Sequence, residues 1–394
     1  MELQTAPENS VRPQLAVVMP VHNEAATVRS VIEELSATIV AAHAVTLFVF
    51  EDGSKDGTGE VLREIAASMP ALRVSTSPDR KGYPRAVRDA ILSIDPKKFP
   101  VLLFLDGDGQ YDPRDFKRLL AEFRTGSADI VNAYRTRRTE PLYRSLPSKF
   151  LRRLEGLLFN PGVKDVTSAF RLMRTEVAQT VARAIRYSPY NFWLEFTARA
   201  SSMGYRQVEV PVSYRVREGA TKVYGLWKMP KILRAELGAL LHTWLDYHGP
   251  EVARFATVGG SGALVILGLL WALTDLARIP YLVSAAIAIE ASIFWAFVLH
   301  ERWTFRRIPK SDSLSRRFAA YNLVALAGLA VNLVGLFALT ELFRMFYLLS
   351  EFLAIVIAFG FNYFASRRFA WTGRPGTTPG REDTTRVPHG IEDD

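Results

Sequence analysis

The chain has 394 residues, no cysteine and a formal charge of +9. That length is enough for two domains, and the missing cysteine excludes disulfides, thiolate zinc sites and cysteine nucleophiles. A positive balance suits anionic lipid or phosphate ligands; nucleic acid is the rival reading, but the apolar last third explains the charge more simply, so no nucleic-acid partner is expected.

Residues 1–14 are polar, carry both signs of charge and lack an apolar core, so they do not read as a secretory signal. The first folded domain is therefore expected to stay in the cytosol. Between Leu15 and Tyr134 short apolar runs alternate with amphipathic segments, the pattern of a βαβα domain with a mainly parallel, Rossmann-like sheet. Strands are predicted at 15–19, 45–50, 72–75, 101–105 and 130–133, and helices near 25–42, 58–68, 84–92 and 113–123.

Such sheets bind ligands beyond the carboxyl ends of their strands, and the polar motifs fall there. Pro20-Val21-His22-Asn23-Glu24 comes after the first strand, Glu51-Asp52-Gly53-Ser54 after the second, Lys81-Gly82-Tyr83 after the third and Asp106-Gly107-Asp108-Gly109-Gln110 after the fourth. Paired carboxylates at a strand exit can hold Mg²⁺ or Mn²⁺ against a diphosphate, because these hard cations take oxygen ligands and leave positions open for substrate phosphates. Plainer readings stand beside these. Glu51 to Ser54 suits an Asx turn capping the next helix, Lys81-Gly82 a simple turn, and Asn23-Glu24 a helix start.

Across 134–161 and again across 225–250, arginines and lysines interleave with leucine and aromatic residues. Helices of this kind suit the headgroup plane of a bilayer, although ordinary surface helices are amphipathic too. Their place beside the apolar third favours the interface. Spans of roughly 20 residues, the length that crosses a bilayer, are predicted at 255–276, 281–299, 318–339 and 347–364 within a membrane domain covering 251–371. Arg302, Arg306, Arg307, Lys310, Arg316 and Arg317 crowd the loop between spans two and three, and Arg367, Arg368 and Arg374 come after span four. By the positive-inside rule both termini and the first domain are cytoplasmic in a multi-pass inner (plasma) membrane protein.

The membrane half repeats itself. Ala272-Leu273-Thr274-Asp275-Leu276 returns as Ala338-Leu339-Thr340-Glu341-Leu342, and Tyr281-Leu282 as Tyr347-Leu348; 338 minus 272 and 347 minus 281 both give 66. Two helical hairpins inserted in the same sense explain this. Glu290, inside span two, is costly in lipid and so a functional candidate, with Asn332 or Asn362 as partner, unless it sits near an interface or against a neighbouring helix. Residues 372–394, rich in Gly, Pro, Thr and charge, are expected to be disordered.

Together these motifs resemble family 2 glycosyltransferases of the α/β GT-A fold, most closely the dolichol (polyprenol) phosphate mannose synthase branch, over 15–224; the all-α four-span part resembles the GtrA-type domain. Asp165-Val166-Thr167-Ser168-Ala169-Phe170-Arg171 is similar to that family's D-x-x-S-G-F-R segment and Glu209-Val210-Pro211-Val212 to its E-V-P-V strand. The chain departs from the family in having Glu51 where an aspartate is usual, Ala169 for glycine, and a shortened segment from Arg217 to Lys222. The resemblance implies that Pro20, Val21, Asn23, Glu24, Glu51 and Asp52 hold the base and ribose of a nucleotide sugar. It puts Lys81 near the diphosphate, Gly107 in the donor site, and Asp106, Asp108 and Gln110 on the metal.

Two anions, the donor diphosphate and a lipid monophosphate, must then meet, and two unit charges at about 5 Å repel by roughly 3 kcal/mol at an effective dielectric of 20. Cations must cancel that. Arg135, Arg144, Arg217 and Lys222, with Ser148 as hydroxyl donor, are the candidates for the acceptor phosphate; a positive belt facing anionic lipid would use arginines equally well. Asp106, Asp108 and Arg144 are the expected catalytic residues of an inverting, metal-dependent hexosyl transfer to polyprenyl phosphate. GDP-mannose is the default donor by resemblance, with UDP-glucose or a UDP-N-acetylhexosamine as alternatives. A homo-oligomer is compatible with this reading. The rival of another class is a translocator of lipid-linked sugar whose soluble domain only binds. No H-E-x-x-H, P-loop or G-x-S-x-G motif is present.

Overall fold

The structure is a computed structural model in which residues 15–41, 43–136, 142–215, 226–308, 310 and 312–371 are described. The predicted N-terminal segment and tail therefore lie outside the described residues. Two compact units emerge, one reaching Trp244 and one beginning at Leu245.

In the first unit β1 (Leu15–Val21) is apolar and buried throughout, as a strand covered on both faces must be. It pairs in parallel with β2 (Val45–Asp52) and β4 (Val101–Phe104), and β2 with β3 (Leu72–Ser77). β5 (Ile130–Arg135) runs parallel to β7 (Gln207–Val212), while β6 (Arg171–Arg174) inserts antiparallel between β4 and β5. The order is β3-β2-β1-β4-β6-β5-β7. Chain order reverses between β1 and β4, so a crevice opens at their carboxyl ends. β6 was not among the predicted strands. Its four residues are too few to show a period of two, and arginines bound them.

α1 (Val28–Leu35) starts three residues later than predicted, because the preceding loop is pinned elsewhere: Glu24 N–H donates to Thr58 Oγ1 (2.9 Å) and Ala25 N–H to Asp56 Oδ2 (3.1 Å). α2 (Thr58–Ser68), α3 (Tyr83–Ser93) and α4 (Phe116–Arg124) come after β2, β3 and β4. α5 (Leu142–Phe159), α6 (Thr175–Ala184) and α7 (Phe192–Ser202) complete the unit with the start of α8 (Met229–Trp271). On α5 the polarity is inverted for a water-facing helix, since Glu155 is buried and Leu157 is 76% exposed.

The second unit takes its first span from α8 and the others from α9 (Tyr281–Leu299), α10 (Leu314–Phe337) and α11 (Tyr347–Ala365). All four helices are long and apolar enough to cross a membrane. The repeat is present in the backbone. π-type turns at Ala272–Leu276 and Ala338–Leu342 are 66 residues apart, as are those at His300–Thr304 and Ser366–Ala370, and the left-handed residues Arg278 and Arg344. Close approach recurs too: a Cβ on Gly262 would stand 2.9 Å from Ser292 Oγ, and one on its counterpart Gly328 1.9 Å from Asn362 Oδ1. Neither suggested partner of Glu290 meets it. Asn322 Nδ2 lies 3.4 Å from its carboxylate, Asn332 donates to Glu351 (3.5 Å), and Asn362 packs on Gly328.

Candidate active site

The acidic motif leaves β4 beside β1, and Gly107 makes this possible, since a Cβ there would lie 2.4 Å from Val21 Cγ1. Asp106 Oδ1 accepts from the Tyr83 hydroxyl (2.8 Å), which in turn accepts from Trp193 Nε1 (2.9 Å). Burial above all, and then Asp106, push the Tyr83 hydroxyl well above its usual range, so it remains a proton donor. Asp108 Oδ1 accepts from the Gln110 N–H (3.2 Å), and the Gln110 side-chain amide donates to the Arg215 carbonyl (3.3 Å).

On the other wall the second strand's acids serve the backbone. Asp52 takes the N–H groups of Lys81 (2.7 Å) and Gly82 (2.9 Å), fixing the turn that starts α3. Glu51 accepts from Ser54 N–H. Asn23, at φ 56°, accepts from Lys55 N–H (2.8 Å), and Glu24 accepts from Thr27 Oγ1 (3.0 Å). The Lys81 ammonium pairs with Asp89 at 2.6 Å. These side chains fill turn roles, whereas α1, α2 and α3 begin without a side-chain cap.

Arg135 does not stand as an open cation. Its Nε and one terminal nitrogen fork onto Asp165 (2.7 and 2.8 Å), the same terminal nitrogen reaches Thr167 Oγ1 (2.9 Å), and the guanidinium lies over Tyr214. The D-x-x-S-x-F-R segment thereby acquires a physical explanation. Asp165 grips Arg135, Ser168 meets the Tyr111 hydroxyl (3.1 Å), and Arg171 folds back onto the carbonyls of Ser168 (2.7 Å) and Val166 (2.9 Å). Glu209 of the E-V-P-V strand accepts the N–H groups of Lys164 and Asp165, both at 2.5 Å.

A third wall had no signature in the sequence. The loop from Arg186 to Asn191 hangs on two carboxylates: Glu195 takes the N–H groups of Arg186, Tyr187 and Ser188, and Glu236 of α8 takes those of Tyr190 and Asn191. Lys228, in the 3-10 turn just before α8, and Lys231 of α8 face the cleft.

These walls enclose a cleft of about 1510 Å³, more than one small ligand requires. Pro20, Val21, Glu24, Asp52 and Lys81 line one side, Asp106, Gly107, Asp108 and Gln110 its floor, and Arg135 and Ser148 its basic side. Asn23 and Glu51 are near but do not line it. Arg217 and Lys222 lie outside the described residues, as does the side chain of Arg144, a backbone position in α5. No group of three or more His, Cys, Asp or Glu able to hold a metal occurs among the described residues. Two hard carboxylates on one cleft floor nevertheless fit Mg²⁺ or Mn²⁺, which are commonly bound by one or two carboxylates and complete their shell with substrate phosphate and water.

Residues 16–182 match the glycosyl transferase family 2 model, and 254–371 the GtrA/DPMS transmembrane domain model. The dolichol-phosphate mannosyltransferase of Pyrococcus furiosus is 26% identical over 91% of this chain and 99% of its own. The polyprenol monophosphomannose synthase of Mycolicibacterium smegmatis is 29% identical over 55% of this chain and 84% of its own. The dodecaprenyl-phosphate galacturonate synthase of Rhizobium johnstonii is 25% identical over 66% of this chain and 75% of its own.

Proposed function

We propose that this chain, a family 2 glycosyltransferase joined to a GtrA/DPMS transmembrane domain, transfers a hexose, mannose from GDP-mannose by preference, to a polyprenyl phosphate with inversion. The observation that carries the reading is one cleft running from Asp106 and Asp108 to Ser148 of α5 and Lys231 of α8. It offers a donor floor and a basic acceptor end. Relatives named for transfer to dolichol, polyprenol and dodecaprenyl phosphates support the acceptor class, and two of the three support mannose.

A phosphate monoester is an oxyanion at neutral pH, so no strong general base is needed. Its oxygen attacks the anomeric carbon as the bond to the diphosphate breaks, and the diphosphate departs with the electron pair. Held by Asp106 and Asp108, a divalent cation would offset the charge on that leaving group. Ser148, Lys228 and Lys231, which line the cleft, would steer the acceptor phosphate, joined in this reading by Arg144, Arg217 and Lys222. Arg135 acts by holding Asp165 and the segment behind it. The reaction is catalysed by positioning and electrostatics.

The exposed Leu157 and Trp227, at 76% and 95%, support α5 and the turn leading into α8 as interfacial elements. The arginine-rich stretch after α9 supports a cytoplasmic catalytic domain and termini. UDP-glucose or a UDP-N-acetylhexosamine is the second reading; the relative named for galacturonate supports a sugar other than mannose.

The test is incubation of membranes containing the full chain with labelled GDP-mannose, UDP-glucose and UDP-N-acetylhexosamines, with short polyprenyl phosphates and with or without EDTA. Labelled polyprenyl-phosphate mannose that disappears with EDTA and in Asp108→Asn is expected. Synthesis that survives Asp108→Asn would defeat the enzymatic use of this floor and leave the translocator reading.

A further inference from the structure

The floor carboxylate Asp106 is the end of a buried chain that begins far away in sequence. Trp193 is buried against β4, with its ring edge-on to Phe104 at 4.7 Å between centroids. The Arg171 guanidinium lies over the indole, 4.6 Å from the ring centroid. Arg171 is itself locked onto the Ser168 and Val166 carbonyls and Thr197 Oγ1. The indole is therefore packed and hydrogen-bonded in one orientation, and its one donor points at Tyr83. That hydroxyl, having accepted from the indole, donates its own proton to Asp106 Oδ1.

We infer that Tyr83 and Trp193 are positioning residues for the metal-binding carboxylate. By occupying Oδ1 from one side they fix the rotation of the Asp106 carboxyl group about its Cβ–Cγ bond, so that a cation bound with the nucleoside diphosphate meets a preset oxygen. This rests on Asp106 and Asp108 as the metal floor. Three features favour it over ordinary core satisfaction. The hydroxyl could have paired with any backbone carbonyl, yet it pairs with a residue that lines the cleft. The proton direction is set by chemistry, since an indole N–H can only donate and a carboxylate can only accept. Outer partners of metal ligands commonly control affinity, their loss costing about 10–100-fold.

The test uses the full chain in detergent and Mn²⁺ titrated in the presence of GDP and of UDP, with free Mn²⁺ read from its electron paramagnetic resonance signal. Nucleotide affinity in EDTA is measured in parallel by calorimetry. Tyr83→Phe, which keeps the ring, is expected to weaken Mn²⁺ binding about tenfold or more. Trp193→Phe should weaken it less, because Tyr83 remains but is no longer aimed. Both variants should bind nucleotide in EDTA as the parent does, which also shows that they are folded. Asp108→Asn is the control for the underlying reading. If it binds Mn²⁺ like the parent, the metal floor is wrong. If it loses Mn²⁺ while Tyr83→Phe binds Mn²⁺ unchanged, the floor stands and the positioning role is overturned. Should Trp193→Phe not fold, the Tyr83→Phe result decides alone.

Discussion

Glu251 and Arg317 occupy equivalent places in the two membrane hairpins, 66 residues apart, and carry opposite charge; so do Glu301 and Arg367. The pairs formed are crosswise. Glu251 of the first hairpin meets Arg367 of the second at 3.3 Å, and Arg317 of the second meets Glu301 of the first at 2.8 Å. Glu301 also takes Lys310 and the indole N–H of Trp371. Duplication gave the positions, and inversion of sign makes unlike hairpins attract where two identical ones would repel.

Reversing one charge should therefore unlock the bundle. Arg317→Glu places a carboxylate beside Glu301, and Arg367→Glu one beside Glu251; each is expected to lower the melting temperature of the full chain in detergent. Neutralising Glu251 and Arg367 singly and together should reveal a coupling of about 1 kcal/mol. Strictly additive losses would mean that the pair contributes nothing.

Gly328 has no room for a side chain, because Asn362 fills the place of its Cβ. Gly328→Ala should cost about 1–3 kcal/mol through overpacking. Asn362→Ala in the same chain should recover most of it. A Gly328→Ala protein that melts like the parent would show that the helices can separate there without penalty.

Arg135 and Asp165 form a forked pair whose side chains are almost sealed from water, 9% and 1% exposed. Removing one member of such a pair typically costs about 3–5 kcal/mol, so Arg135→Ala should be strongly destabilised. Arg135→Lys keeps charge but not the fork and should lose about 1–3 kcal/mol. If Arg135→Lys instead melts normally and only raises KM for the lipid acceptor, Arg135 is a phosphate ligand rather than a brace.

Burial, reinforced by Glu236 and opposed by Arg171, pushes Glu155 well above the usual carboxylate range, and neither of its oxygens has a hydrogen-bond partner among the described residues. The folded state holds a proton that the unfolded chain releases near pH ~4.3. This contribution to stability is therefore fully present below about pH 4.3 and is lost as pH rises toward the native value. Glu155→Gln should gain on the parent between mildly acidic and mildly alkaline pH, by about 2 °C or more in melting temperature. A Gln variant that is less stable at alkaline pH would mean that Glu155 is ionised against Arg171.

Much of this protein is visible in one dimension because its signals are local. β1 is apolar at every residue, α2 spans Thr58 to Ser68 as its periodicity requires, and Asp106 lies just past a buried strand at the edge where such sheets bind ligands. The 66-residue repeat is legible because the residues themselves recur, and π-type turns and left-handed arginines recur with them in the fold. Tertiary structure decided which partners the polar groups meet. Glu51 and Asp52 could hold a ribose or hold a turn, and only the approach of residues 81 and 82 to Asp52, about 30 positions away, shows that its oxygens serve that turn. Arg135 reads as an open cation in the sequence, and only the fold brings Asp165 to hold it. Trp193, 110 residues from the hydroxyl it donates to, had no local mark at all. Hydrophobic patterning repeats along the chain and can be read there, whereas a charge or a hydrogen bond takes its meaning from the partner that folding brings to it.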